Sequence, residues 1–321
     1  MAHNSGRSPF PSGRDRPHHL MTVRDLVRLL RVKQWTKNVF VFAALIFTKG
    51  WERPETRLYA LVAFAAMTSA SVAMYLFNDL LDRKADQAHP VKRDRPIASG
   101  RVGTGVAITA MVLAVLYSLG IVSVASEGSR GVPLELAGVV LTYIGLQIAY
   151  NLVLKRTPIA DVATIAAGFV LRVVAGAVAI SAPLSGWILL CTAFLALLLG
   201  FGKRRHEFHL EGHDVRTTRP ALTGYTAASL DALLVVCAAC AAISYGVYSI
   251  ESPTAKLHPG LVMTTPFVVY GVLRYLALAM AGEGGEPESL VLRDVQLLVC
   301  FGGFLLAAFA ALSGVRLGFL L

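Results

Sequence analysis

Nine apolar stretches run through this chain, at roughly 38–53, 58–81, 104–126, 134–154, 159–181, 185–202, 229–250, 261–281 and 294–314. A helix needs about 20 mostly apolar residues to cross a bilayer. In lipid each spanning segment must satisfy its own backbone N–H and C=O groups, so only helices or closed barrels cross. So many long runs in one chain predict an all-α, polytopic membrane protein with nine transmembrane helices. Composition agrees: 55% of the 321 residues are hydrophobic and 16% charged, too apolar for an ordinary water-soluble domain.

Charge orients the spans. With the N-terminus in the cytoplasm, most of the 30 lysines and arginines fall in the N-terminal segment and in the connections 82–103, 155–158, 203–220 and 282–293. The opposite side holds Lys49, Arg53, Arg57, Arg130 and Lys256. That is the positive-inside asymmetry, and an odd span count puts the C-terminus outside. The net charge of +10 follows from it and from attraction to anionic head groups; no nucleic-acid module is visible. Residues 1–20 are polar and basic with no apolar core, as expected of a disordered cytoplasmic tail and not of a signal peptide. Residues 21–37 are amphipathic, with Leu26, Leu29 and Leu30 on one face and Arg24, Arg28 and Arg31 across from it, which predicts an interfacial helix. Residues 38–321 then form a single transmembrane catalytic domain.

The chemistry concentrates in YLFNDLLDRKADQAHPVKRDRPIASG, residues 75–100. On one helix, Asn78, Asp79, Asp82 and Asp86 stand three or four apart and share a face at the cytoplasmic end of the second span. Carboxylates so close repel one another, more so when partly buried. A hard divalent cation relieves that repulsion, and Mg²⁺ commonly binds through one or two carboxylates together with substrate phosphates. The cations that follow, Lys92, Arg93 and Arg95, suit further phosphate oxygens. The plainer reading is a solvated acidic helix end neutralised by Arg83 and Lys84. YNLVLKRTPIAD at 150–161 and GKRRHEF at 202–208 favour a site, because three helix ends then bring Asp, Asn, Tyr, Lys and Arg to one membrane face.

Asn78-Asp79-Leu-Leu-Asp82-Arg-Lys-Ala-Asp86 resembles the NDxxDxxxD signature of the UbiA-type intramembrane prenyltransferases. KRDRPIASG and YNLVLKR resemble two further motifs of that family, over roughly residues 22–315. The resemblance implies a nine-helix UbiA-type bundle, Mg²⁺ held by Asn78, Asp79, Asp82 and Asp86, and a diphosphate substrate. One departure stands out. The family's second aspartate-rich motif, at the end of span six, is replaced by Lys203, Arg204 and Arg205, with Glu207 nearby. A basic cluster suits a bare phosphate better than a second metal.

Gln34-Trp35-Thr36-Lys37-Asn38 and Gly202-Lys203-Arg204-Arg205-His206-Glu207 resemble a branch of the family that transfers phosphoribose. That branch takes 5-phosphoribosyl from phosphoribosyl pyrophosphate (PRPP) to decaprenyl phosphate or a similar polyprenyl phosphate, giving a precursor of cell-wall arabinan at the plasma membrane. The resemblance implies that Lys33, Gln34, Lys37, Asn38, Lys92, Arg95, Tyr150, Asn151, Lys155, Lys203, Arg204, Arg205 and Glu207 bind substrate. Asp82, Asp86 and Asp161 are the candidate catalytic groups, with Asp86 and Asp161 orienting ribose hydroxyls or a water. Two alternatives remain open: prenyl transfer to an aromatic acceptor, and a transporter with Asp161, Arg172 and Arg274 as pathway charges. The sequence is compatible with a homo-oligomer and fixes no oligomeric state. HEFHLEGH at 206–213 lacks zinc-protease spacing and reads as a loop. The Cys237–Cys240 pair, inside an apolar run, reads as packing.

Overall fold

The structure is a computed structural model and describes residues 22–127, 131–211 and 220–314. The expected N-terminal tail and His213 lie outside the described residues. All regular structure among the described residues is helical. Eight helical spans are long and apolar enough to cross a membrane. Short helices α1 (Val23–Leu29) and α2 (Ala43–Phe47) precede the first of them, α3 (Pro54–Leu81). The brief α4 (Arg83–Ala88) follows, then α5 (Thr104–Ala125), α6 (Glu135–Leu152), α7 (Ala160–Ala179), α8 (Gly186–Glu211) and α9 (Ala227–Glu251). After α10 (Pro253–Leu257), a 3₁₀ turn at Pro259–Thr264 opens α11 (Thr265–Met280), and α12 (Pro287–Arg293) leads into α13 (Val295–Leu312).

Helices α3 and α7 form the axis of the bundle. Their spans are 61% and 56% buried, against 17–33% for the other six. Small residues explain this. Ala60, Ala63, Ala66, Ala70 and Ala73 of α3 are all fully buried and lie three or four apart, a stripe that lets backbones approach. Across it, Ser118 Oγ donates to the Ala66 carbonyl at 2.7 Å and Ser69 Oγ to the Ala114 carbonyl at 2.8 Å, stitching α3 to α5. The peripheral helices turn apolar faces outward, for example Leu113 and Leu116 of α5 and Val299 and Leu306 of α13, as lipid contact requires.

The expected first span, 38–53, is not a regular α-helix. The chain breaks at Arg31, which is left-handed (φ 52°, ψ 40°), so the expected interfacial helix shortens to α1. A 3₁₀ helix over Val32–Phe42 then leads into α2 and a 3₁₀ turn at Gly50–Glu52. This segment runs beside α3 and α7, from Arg31 against Asp79 to Gly50 against Thr56. The physical reason is length. A 3₁₀ helix rises about 2.0 Å per residue, so 32–42 covers about 22 Å and α2 about 7 Å more. The two together approach the thickness of the hydrocarbon core, which an α-helix of the same residues would not.

The segment sits directly on the backbone of α7: a Cβ on Gly176 would lie 1.8 Å from the Val41 carbonyl oxygen. Gly176→Ala is therefore expected to destabilise the protein by about 1–3 kcal/mol and to loosen residues 32–47. Thermal unfolding in detergent, with wild type alongside, checks it.

Candidate active site

The alternation of helix directions gathers the C-terminal ends of α3, α6, α8 and α11 with the N-terminal ends of α5, α7, α9 and α13. Of the sequence-predicted groups, Asp79, Asp82, Asp86, Arg95 and Lys155 meet there. Helix α3 stops at Leu81, Asp82 occupies the junction, and α4 restarts at Arg83. Two backbone bonds carry the turn through the break, Asp82 N–H to the Asn78 carbonyl at 2.9 Å and Asp86 N–H to the Asp82 carbonyl at 2.8 Å. Asp79 and Asp86 thus stay on one face, two turns apart.

These two carboxylates grip the same nitrogen. Arg95 Nη1 donates to Asp86 Oδ2 at 2.7 Å and to Asp79 Oδ1 at 3.0 Å. Arg31 Nη2 reaches both oxygens of Asp79, at 2.6 and 2.8 Å, with its guanidinium over the Tyr75 ring. Asp82 turns aside to Lys155, whose Nζ lies 2.8 and 3.0 Å from its two oxygens. The expected array of four ligands is therefore divided, with Asp79 and Asp86 together, Asp82 apart and Asn78 half-buried beside them. Among the described residues no three acids or histidines form a metal shell. The donor set still fits a divalent cation. Two buried carboxylates already converge on one cationic atom, and their all-oxygen chemistry is that of a hard ion.

The connection 89–103 brings Arg95 back to the acids. Ile97 and Val102, buried against Leu29, Val72 and Leu76, seat it on α3, and Gln87 Nε2 donates to the Ala98 carbonyl at 3.0 Å. Arg101 ties it to α1 by donating from Nε to Asp25 Oδ1 at 2.9 Å. Lys92 is exposed on its outer side.

Lys203, Arg204 and Arg205 do not form the expected cluster. Successive residues of a helix point about 100° apart, and the three fan out. Lys203 faces outward. Arg204 is 2% exposed and pairs with Asp161 at 2.7 Å and Glu207 at 2.5 Å. Arg205 ties α8 to α9 and α11 through Asp231 at 2.5 Å and the Ala279 carbonyl at 3.2 Å. Asp161, expected to face substrate, is fully buried and also accepts from Tyr225 Oη at 3.2 Å. Asp161 and Arg204 thus form a buried ion pair, while Glu207 and Arg205 are partly exposed.

Asn38 is likewise no surface ligand. Its side chain, 1% exposed, donates to Thr68 Oγ1 at 3.1 Å and accepts from Arg172 Nε at 2.7 Å. Arg172 further donates to the Gly168 carbonyl at 2.7 Å and Tyr143 Oη at 3.0 Å, and lies over the rings of Tyr143 and Phe169. Carbonyl, hydroxyl and π-face dipoles thus satisfy this intramembrane cation. Arg274 pairs with Asp294 at 2.7 Å. Asp161, Arg172 and Arg274 each have partners of their own, with no hydrogen bond or ion pair joining the three among the described residues. Lys33 is exposed, and Gln34 and Lys37 are half-buried, on the stretch after Arg31.

On α6, Tyr150 is half-buried and within electrostatic reach of Arg204. Asn151 is 5% exposed. Its amide donates to the Gln147 carbonyl at 2.9 Å, and its Oδ1 is buried with no hydrogen-bond donor among the described residues.

Sequence reasoning missed Arg31, Asp231 and Tyr225 as parts of this end. Arg31 was read as facing lipid head groups, and its left-handed turn carries no sequence signal. Asp231, an acid near the start of the apolar run 229–250, is the one of the three that sequence could have flagged; Tyr225 gives no signal.

A model of the UbiA prenyltransferase family matches residues 38–293. The chain is 34% identical over 282 residues to a decaprenyl-phosphate phosphoribosyltransferase of Mycobacterium tuberculosis, covering 86% of this chain and 91% of that protein. It is 34% identical over 279 residues to one of Corynebacterium glutamicum, covering 85% and 82%. The fold is similar to that of a UbiA homolog from Archaeoglobus fulgidus solved with DMAPP and Mg²⁺. There the TM-score is 0.67 and the identity 17%, over 91% of this chain and 100% of that one.

Proposed function

The chain belongs to the UbiA prenyltransferase family, and on that premise we propose that it transfers 5-phosphoribosyl from PRPP to decaprenyl phosphate or a similar polyprenyl phosphate. One observation carries the reading beyond the names of its relatives. Asp79 and Asp86 hold one cationic nitrogen between them, while the end of α8, where prenyl transfer calls for a second acidic pair, offers the Arg204–Asp161 brace instead. One metal-binding face surrounded by basic groups suits a diphosphate donor with an anionic lipid acceptor.

Bound at this site, Mg²⁺ neutralises charge on a departing diphosphate; Asp79 and Asp86 are the residues to hold it, with Asp82 and Asn78 beside them. Arg31, Arg95 and Lys155 now sit on these carboxylates. They reach phosphate oxygens by exchanging one anion for another. Lys33, Lys37, Lys92 and Lys203 are further candidate cations for the phosphates, with Gln34 and Tyr150 as candidate neutral donors. Asn151 Oδ1, a buried acceptor lacking a donor, suits a ribose hydroxyl.

The reaction breaks the bond from ribose C1 to the pyrophosphate oxygen, and the electron pair leaves with pyrophosphate. A lipid phosphate oxygen forms the new bond to C1. That oxygen is already anionic near neutral pH, so it needs placement more than a base. Attack opposite the leaving group inverts C1 and gives a β-linked product. PRPP is soluble and the basic connections lie at this end, so the site faces the cytoplasm and the protein resides in the plasma membrane.

Purified protein with Mg²⁺, PRPP and decaprenyl phosphate is expected to release pyrophosphate in step with a phosphoribosylated lipid, and a chelator is expected to stop it. Absence of release from PRPP, with activity instead on a prenyl diphosphate and an aromatic acceptor, overturns the reading.

A further inference from the structure

We propose that Tyr225 is a positioning residue for this transfer: its hydroxyl clamps the turn that presents Lys155 to Asp82 and ties it to Asp161 in the first turn of α7. The proposal rests on the phosphoribosyl-transfer reading above and concerns a residue outside the sequence motifs discussed above.

The argument begins at Ile159. Its backbone has φ 65° and ψ −50°, and the Ala160 N–H bonds to the Pro158 carbonyl at 2.7 Å. This is a γ-turn with positive φ, a rare and strained form, and a β-branched residue is the least suited to it. The Ile159 side chain is 53% exposed, so packing does not compensate. Such conformations persist where their surroundings impose them, and they concentrate at functional sites.

One hydroxyl bridges this turn to the helix it opens. Ile159 N–H donates to Tyr225 Oη at 2.5 Å, and Tyr225 Oη donates to Asp161 Oδ1 at 3.2 Å. One group thus accepts from the strained residue and donates to the first turn of the helix that follows it. Tyr225 is 6% exposed, with its ring edge-on to Phe201. Burial pushes its phenol up to about 12, so it keeps its proton throughout the neutral range. The segment before it lies flush on the turn, since a Cβ on Gly224 would sit 2.3 Å from Pro158 Cγ.

Lys155 lies four residues upstream of Ile159. Only the short turn Leu154–Arg156, the Thr157 N–H bond to the Leu154 carbonyl and Pro158 separate them. Releasing Ile159 shifts the lysine that now holds Asp82. A misplacement of about 1 Å at a reacting centre lowers rates steeply.

Tyr225→Phe removes both hydrogen bonds and keeps the ring. In nanodiscs it is expected to lower kcat for pyrophosphate release about tenfold, the worth of one well-placed interaction, with a smaller change in the KM for decaprenyl phosphate. Ile159→Gly is expected to stay near wild type, because glycine adopts positive φ without strain. The double variant is expected to recover most of the lost rate, since its turn no longer needs the clamp. A role in packing alone predicts no such rescue. Amide exchange over 155–161, expected to quicken in Tyr225→Phe, reads the clamp without turnover.

Wild-type kcat in Tyr225→Phe with unchanged exchange overturns the proposal. So does a double variant no better than Tyr225→Phe in fold or rate. If Tyr225→Phe does not fold, a folded and active double variant supports the proposal and any other double variant overturns it. A wild-type protein silent toward PRPP overturns the reaction instead, and the exchange measurement still decides the clamp.

Discussion

Asp86→Asn is expected to lower pyrophosphate release from PRPP by about a hundredfold to a thousandfold and to raise the Mg²⁺ concentration needed for half-maximal rate. The magnitude follows from the charge involved, because metal stabilisation of a leaving diphosphate is worth several kcal/mol and tenfold in rate is about 1.4 kcal/mol. The fold is expected to survive. Asp86 is 4% exposed, but Asn keeps its shape and one acceptor oxygen, and Arg95 retains Asp79 at 3.0 Å. Asp82→Asn is the informative companion, since its carboxylate holds Lys155 and not Arg95. Full Mg²⁺-dependent turnover by Asp82→Asn removes Asp82 from the metal set, whereas the same result from Asp86→Asn ends the metal assignment altogether. Rates against Mg²⁺ concentration, for variants of equal thermal midpoint, check both.

What the sequence makes legible here follows from local rules. Hydropathy located the eight helical spans, because bilayer thickness fixes their length whatever their neighbours do. Helical spacing puts Asp79 and Asp86 on one face, and Arg95 of the basic loop that follows lies against both. The failures have equally definite causes. Runs of apolar residues do not distinguish an α-helix from a 3₁₀ helix, so 38–53 reads as an ordinary span although the 3₁₀ helix Val32–Phe42 runs into it. Adjacency in sequence was mistaken for adjacency in space at 203–205, where helical geometry separates neighbours. The ring of Asn38, Ser71, Tyr143 and Arg172, closed by Ser71 Oγ 3.4 Å from Asn38 Oδ1 and 3.1 Å from Tyr143 Oη, draws on four separate segments, and nothing in any one of them marks the others as partners. Tyr225 and Ile159 meet only because two connections pack together.

Arg204→Met is expected to destabilise the protein by about 3–5 kcal/mol, the effect of stranding a buried charge. Asp161 has no exposure at all, and without Arg204 its remaining side-chain partner is Tyr225, 3.2 Å away. Removing both charges, in Asp161→Asn with Arg204→Met, is expected to return most of that stability, since a buried ion pair replaced as a unit is often neutral or better. The rate of the double variant then separates two roles that the basic sequence at 203–205 leaves tangled. If Arg204 grips a phosphate, the double variant folds and does not turn over. If Arg204 is the brace its 2% exposure implies, the double variant folds and works within about tenfold of wild type, the reach of a positioning effect. Lys203→Ala, at the exposed member of the trio, is expected to do the reverse, raising the KM for an anionic substrate with a much smaller change in thermal midpoint than Arg204→Met. Neutralising either residue removes one positive charge from α8, so a contrast between them assigns the effect to direction around the helix and not to charge count.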